Sequence, residues 1–201
     1  MENVKLQHNR RTIRLNEYDY STPWWYYVTI CTHERKNLFG KIIGGKMILN
    51  ECGKIVEEEW LLTKEIRNNI DLDYYIIMPN HFHGNIIINS RGELHSPQEL
   101  NSPQELNLTE NENAGRIQYA PTNDKFRSPS QTLGSIVRGF KSKVTKCIRE
   151  LIGDPDLKIW QRNYYEHIIR NDLDLQNIRT YIELNPLKWE LDEYYSSPEI
   201  I

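Results

Sequence analysis

Two histidines one residue apart, His81 and His83, stand in the run Tyr74-Tyr75-Ile76-Ile77-Met78-Pro79-Asn80-His81-Phe82-His83-Gly84-Asn85-Ile86-Ile87-Ile88. The run has the β-branched and aromatic character of strand, and strand side chains alternate faces. His81 and His83 therefore present two imidazoles on one side. Neutral imidazole is the commonest side-chain ligand of divalent metals. Two ligands alone bind weakly, so a site needs a third group and an open position for water or substrate. Near the C-terminus, Tyr181 and Asn185 lie four residues apart on a predicted helix, one turn from each other on the same side. The Asn185 amide oxygen is a donor that Mg²⁺ or Mn²⁺ accepts, and an Asn before a Pro is also an ordinary helix terminator. A phenol is a weak nucleophile at its free pKa near 10 and needs a cation to activate it or its target. Together these residues point to tyrosine attack on a metal-polarised phosphodiester.

Positive charge is placed locally. The predicted helix over 136–150 carries Arg138, Lys141, Lys143, Lys146 and Arg149 against Glu150, and the N-terminal segment carries Arg10, Arg11 and Arg14. Solvation is the ordinary reason for such a face. Beside the candidate site it would contact phosphates instead, with Arg162, His167 and the aromatics of Trp24-Trp25-Tyr26-Tyr27 and Tyr164-Tyr165 extending a groove for charged backbone and stacked bases. The formal net charge of −3 means that any nucleic-acid contact must come from such local patches.

Several elements must position these groups. A buried strand is expected over 24–32. After a glycine-bearing turn region around Gly40, Gly44 and Gly45, Asn50 caps a helix over about 51–67, with Cys52, Ile55, Val56, Leu62 and Ile66 as its apolar positions. Residues 72–89 form one bent strand or two, interrupted at Pro79-Asn80. Leu133 to about Leu151 is a helix with the apolar stripe Val137, Phe140, Val144, Cys147, Ile148, Leu151. One or two short strands follow over 159–170, then a helix capped by Asn171 or Asp172 and stopped by Pro186, with Leu175, Ile178 and Ile182 inward. Single strands joined through helices predict an α+β fold of ferredoxin-like type, an antiparallel sheet with helices packed on one face.

Residues 90–131 differ in character. They are rich in Ser, Pro, Asn, Gln and Glu and contain the near-tandem His95-Ser96-Pro97-Gln98-Glu99-Leu100 and Asn101-Ser102-Pro103-Gln104-Glu105-Leu106. Two six-residue copies are too few for a solenoid, and this composition buries too little apolar surface to offset ordering. A polar surface insertion without regular structure is expected inside one domain spanning 1–201. Three scattered cysteines without C-x-x-C spacing fit a reduced cytoplasmic compartment. No apolar run reaches the roughly 20 residues of a membrane span. Walker, dinucleotide, nucleophile-elbow and zinc-ribbon patterns are absent from the sequence.

Pro79-Asn80-His81-Phe82-His83, Trp160-Gln161-Arg162-Asn163-Tyr164-Tyr165-Glu166-His167-Ile168-Ile169-Arg170 and Tyr181-Ile182-Glu183-Leu184-Asn185-Pro186-Leu187-Lys188, in this order, resemble the single-tyrosine HUH transposases, the REP-associated branch most closely. Tyr18-Asp19-Tyr20-Ser21 through Val28-Thr29-Ile30-Cys31-Thr32-His33 also matches. The resemblance implies an HUH endonuclease fold that nicks and rejoins single-stranded or hairpin DNA with Mg²⁺ or Mn²⁺. It implies His81 and His83 as metal ligands and Tyr181 as the nucleophile that forms a 5′-phosphotyrosine. Related insertion-sequence transposases carry Gln where this chain has Asn185, so that ligand is a methylene shorter. Many relatives are homodimers that exchange the tyrosine helix, and the sequence leaves the oligomeric state open. A non-cleaving hairpin-binding protein is the alternative of a different class.

Overall fold

The computed structural model describes residues 20, 22–89 and 131–196. Arg10, Arg11, Arg14 and nearly all of the expected insertion lie outside the described residues.

Strand β1 (Trp25–Cys31) is the centre of a four-stranded antiparallel sheet. It pairs on one side with β5 (His81–Ile88) and on the other with β6 (Tyr165–Ile168). Strand β4 (Ile70–Ile77) forms the far edge beside β5, giving the order β4-β5-β1-β6. The Pro79-Asn80 interruption is therefore a tight connection between two strands, closed by the Met78 amide donating to the His81 carbonyl at 2.8 Å. Helix α1 (Glu51–Ile66) joins β1 to β4, and α2 (Leu133–Ile152) precedes β6. This succession of strand, helix, two strands, helix and strand is the ferredoxin-like arrangement expected from the sequence. The glycine-bearing region after β1 adds a hairpin, β2 (Gly40–Ile43) and β3 (Lys46–Leu49). Its two-residue turn places Gly44 and Gly45 at φ 56° and 74°, a conformation that glycine adopts without strain.

The caps form as the sequence predicts. Asn50 Oδ1 accepts from the Gly53 amide at 2.9 Å at the start of α1. Asn171 Oδ1 accepts from the Asp174 amide at 2.9 Å at the start of α3 (Asp172–Leu184).

Alternation divides the sheet into two faces. Tyr26, Val28 and Ile30 of β1 with Phe82 and Ile86 of β5 meet α1 and α2 and form the main core. The inward face of α1 is centred on Trp60, while Leu62 and Ile66 face solvent rather than the core. Cys52, Val56, Trp60 and Thr63 follow the helical period onto the buried side, which leaves Leu62 and Ile66 off it. A Cβ at Gly84 would sit 2.7 Å from the Trp60 ring, so the missing side chain makes room for the indole. Leu151, expected in the α2 stripe, is likewise exposed.

The other face carries Trp25, Tyr27 and Ile87, too much apolar surface to leave in water. Helix α3 covers it with Leu175, Ile178 and Ile182. Helices thus lie on both faces: α1 and α2 build the core, and α3 crosses the face toward which His81 and His83 project. Beyond α3, a 3-10 helix (Pro186–Leu191) reverses the chain and sends 192–196 back over that face. All three cysteines are free thiols. Among the described residues no helix is long and apolar enough to cross a membrane.

Candidate metal centre

Register determines what surrounds the histidines. On the α3 face, Cys31 pairs with His81 and Thr29 with His83 across the β1–β5 ladder. Both imidazoles are buried, with ring centroids 4.5 Å apart. Tyr27 stacks on His83 at 5.6 Å, and its hydroxyl lies 2.7 Å from His83 Nδ1. Thr29 Oγ1 is 2.9 Å from the same nitrogen and donates to the Tyr27 hydroxyl at 3.2 Å. With Nδ1 occupied, His83 directs Nε2 outward, where the Tyr181 hydroxyl stands 3.5 Å away.

Tyr181 is half-exposed on α3, and its hydroxyl also donates to Asp192 Oδ2 at 3.4 Å. Asp192 follows the 3-10 helix and is fixed at both oxygens. The Asn185 amide nitrogen donates to Oδ2 at 2.8 Å, and the Tyr194 backbone amide donates to Oδ1 at 2.7 Å. The Tyr194 ring lies 4.7 Å from His81 and 6.1 Å from His83, and the Arg35 guanidinium sits over its outer side at 5.1 Å.

Electrostatics follow burial. Desolvation pushes the His81 imidazolium pKa down to about 4, opposed by Asp192 and reinforced by Arg35. Desolvation and then His81 hold His83 well below its ordinary value. Both rings are therefore neutral near pH 7, the form that ligates metal. The Tyr181 phenol is pushed above its usual range by burial and by the carboxylates of Asp192 and Glu193. It keeps its proton unless a cation enters.

The donor set fits a divalent cation. His81 Nδ1 is 2.9 Å from Asn80 Oδ1, an atom that only accepts, so Nδ1 carries the hydrogen. His81 Nε2 is then a bare lone pair, buried without a hydrogen-bond partner. Asn185 Oδ1 is buried without a partner as well. Ligand atoms of His81, His83 and Asp192 lie within 4.8 Å of one another. Unpartnered acceptors beside a carboxylate are costly in a protein interior and are relieved by a cation.

The structure thus brings His81, His83, Tyr181 and Asn185 together in one chain. Sequence reasoning missed Asp192, Tyr194, Thr29 and Asn80, and read Tyr27 as a groove aromatic rather than a partner of His83. Asn80 was visible as the neighbour of His81. Asp192 had no spacing signal.

The predicted phosphate-contacting residues fall elsewhere. Arg138, Lys141, Lys146 and Arg162 line an open groove of about 900 Å³ between α2 and the segment 153–162, with Arg149, Lys158 and Trp160. Lys141 is committed within it, since its Nζ donates to the carbonyls of Gln161 at 2.7 Å and Arg162 at 3.1 Å. Desolvation lowers the Lys141 pKa to about 8. Lys143 lies outside the groove lining. His167 projects on the α3 face and is 2.9 Å from Asp174 Oδ2. Gln161 of the groove lining donates its backbone N–H to the Cys31 carbonyl at 2.9 Å, and Cys31 pairs with His81.

No family model matches the chain. Among solved structures, it is similar to a REP-associated tyrosine transposase bound to a REP hairpin, with 18% identity, a TM-score of 0.48 and coverage of 87% of this chain and 74% of that one. It is also similar to a candidate transposase from Deinococcus radiodurans R1, with 11% identity, a TM-score of 0.41 and coverage of 86% and 96%. In sequence it is 38% identical over 190 residues to an uncharacterized protein of Haemophilus influenzae, spanning 94% of each chain. At that identity and coverage, the chain belongs to the same protein family as the Haemophilus influenzae protein.

Proposed function

We propose that the protein is a metal-dependent nuclease of the single-tyrosine HUH transposase type, acting on single-stranded or hairpin DNA. The observation that carries this reading is the Tyr181 hydroxyl, 3.5 Å from His83 Nε2 and 3.4 Å from Asp192 Oδ2, at the edge of a cluster of metal-ligating atoms in its own chain. A structural tyrosine has no need of a buried neutral imidazole and a carboxylate at its oxygen, with a second buried imidazole 4.5 Å from the first. The three motifs of the sequence supply the rest of the reading.

His81 and His83 through Nε2, with Asp192, would hold Mg²⁺ or Mn²⁺, and Asn185 Oδ1 is the further oxygen available to it. When bound, the cation supplies the charge that polarises a phosphodiester and steadies the departing oxygen. The chain's own residues do the remainder. Leu175 and Ile182 anchor α3 on the sheet, so Tyr181 is held at a fixed edge of the site. Its oxygen attacks phosphorus, a Tyr181–O–P bond forms to the 5′ side, and the P–O3′ bond breaks. The phenolic proton passes to Asp192 Oδ2, the departing 3′-oxygen takes up a proton from water, and the Asp192 proton returns to the hydroxide so formed. The reverse sequence rejoins the strand. Arg138, Lys146, Lys158 and Arg162 offer phosphate contacts along the basic groove. Residues 1–201 then form one such domain, with 90–131 as an insertion outside the catalytic framework.

The test uses end-labelled single-stranded hairpins from the flanks of the gene, incubated with the full chain and Mg²⁺ or Mn²⁺. A covalent adduct on a denaturing gel, lost in Tyr181→Phe and in His81→Ala/His83→Ala, is the expected result. Hairpin binding without any adduct would favour a binding module instead. An adduct that persists in Tyr181→Phe would move the nucleophile to another tyrosine.

A further inference from the structure

Asn80 is buried beside the metal centre, yet it is neither a predicted ligand nor part of the core. Each polar atom of its amide is used. Oδ1 accepts from His81 Nδ1 at 2.9 Å. Nδ2 faces three acceptors: the carbonyls of Tyr194 at 2.8 Å and Arg35 at 3.1 Å, and Ser196 Oγ at 3.1 Å. Those acceptors fix the amide's orientation, because the reverse placement would set a carbonyl oxygen against two others. The backbone carbonyl of Asn80 is engaged as well, accepting from the Thr32 amide and from Thr32 Oγ1, both at 2.9 Å.

The groups that Asn80 holds are themselves unusual. Glu34 and Arg35 are consecutive non-glycine residues at φ 56° and 55°, a strained turn that persists only where its surroundings hold it. Arg35 Nη1 donates to the Glu193 carbonyl at 2.9 Å. Tyr194 and Ser196 are thus fastened across the site by the same amide that orients His81, and Glu193 by Arg35.

We propose that Asn80 is the positioning residue of this centre: its amide holds His81 in the Nδ1–H tautomer, with Nε2 presented to the cation, and ties that ring to the 34–35 turn and the 194–196 segment. The inference rests on the reading of His81 and His83 as metal ligands. An outer hydrogen bond to the non-ligating nitrogen of a histidine fixes both tautomer and ring orientation, and its loss weakens metal binding 10–100-fold in such sites.

The experiment compares the full chain with Asn80→Ala and Asn80→Asp. Long-range ¹H–¹⁵N spectra of the metal-free protein report the His81 tautomer, and calorimetric titration with Mn²⁺ reports affinity. Wild type should show His81 protonated at Nδ1. Asn80→Ala should lose that preference and bind Mn²⁺ roughly 10–100-fold more weakly. Asn80→Asp keeps an acceptor beside His81 Nδ1 but sets an oxygen, in place of the donating Nδ2, against the Tyr194 and Arg35 carbonyls. It should retain the tautomer and bind Mn²⁺ within about threefold of wild type, while amide exchange over 193–196 accelerates. If Asn80→Ala does not fold, Asn80→Asp decides: a His81 that moves its proton to Nε2 in that variant overturns the proposal. An Nε2–H tautomer in wild type, or unchanged Mn²⁺ affinity in a folded Asn80→Ala, overturns it equally. A wild-type protein with the expected tautomer and no Mn²⁺ binding would reject the metal reading and leave the positioning of His81 standing.

Discussion

Arg179 on α3 and Asp73 on β4 are joined by two parallel hydrogen bonds, Nε to Oδ2 at 2.9 Å and Nη2 to Oδ1 at 2.7 Å. Asn85 Nδ2 donates to the same carboxylate at 3.1 Å, and the guanidinium lies near the rings of Tyr74 at 5.1 Å and Trp25 at 5.9 Å. Burial pushes the Asp73 carboxyl pKa up, but the bonds from Arg179, Asn85 and the Tyr74 backbone outweigh it and hold it below the usual range. Tyr181 stands two residues beyond Arg179, so this pair sets the rotation and height of α3 above the sheet.

Arg179→Lys cannot reproduce the planar fork. It should lower stability by about 1–3 kcal/mol and reduce adduct formation by about tenfold or more, with Mn²⁺ affinity unchanged. Urea unfolding, adduct kinetics and calorimetry check the three parts. Unchanged adduct kinetics in a destabilised variant would mean that Leu175 and Ile182 alone position the tyrosine.

What the sequence revealed depended on whether a feature is local. Strand alternation placed His81 and His83 on one face, and helical spacing placed Tyr181 and Asn185 together. Both follow from the backbone periods of single elements. The contacts of Thr29 and Tyr27 with His83 come from the β1–β5 register, which neither strand encodes alone. Asp192 reaches the site only because the 3-10 helix after Pro186 turns the chain back, a tertiary event without a periodic signature. Gly40, Gly44 and Gly45 marked only a turn region, because the β2 and β3 strands around it have four residues each, too short to show alternation. Trp60 lies four residues beyond Val56 on the same helical face, so its place there follows from the helical period; only the room for its ring depends on Gly84.

Acid should destabilise the metal-free protein. Burial holds the folded His81 pKa at about 4 and the folded His83 pKa well below its ordinary value. The same side chains in the unfolded chain take protons near pH 6.5. Between those limits the unfolded state binds more protons, so stability rises with pH. The contribution is complete above about pH 6.5 and is lost on acidification toward pH 4. For His81 alone the loss is roughly 2 kcal/mol by pH 5. Urea unfolding at pH 7 and pH 5 measures it, and His81→Asn should flatten the difference.

The basic groove should contribute affinity without sequence preference. Replacing Arg138, Lys146 and Arg162 together with alanine removes three cations from its lining. For a single strand, each lost phosphate contact makes the dependence of log K on log salt shallower by about 0.7, so the triple variant should lose roughly 2 from the slope. Lys143→Ala, outside the lining, is the control and should leave the slope unchanged. A triple variant with the wild-type slope would exclude the groove as a phosphate track.

Asp192 offers the sharpest separation of roles at the centre. Asp192→Asn preserves the shape of the side chain but removes its charge. Two effects of opposite sign should follow. Mn²⁺ affinity should fall about tenfold or more, because a hard cation loses an anionic oxygen. The metal-free Tyr181 phenol should ionise at lower pH than in wild type, because the Asp192 carboxylate ranks next to burial among the causes that raise it. Calorimetry reports the first. Phenolate absorbance, taken as the difference between Asp192→Asn and Asp192→Asn/Tyr181→Phe, isolates the second from the other tyrosines. If the carboxylate serves only to anchor the Tyr194 amide, the phenol will titrate lower while Mn²⁺ binds as before. That outcome would leave His81, His83 and Asn185 as the complete ligand set.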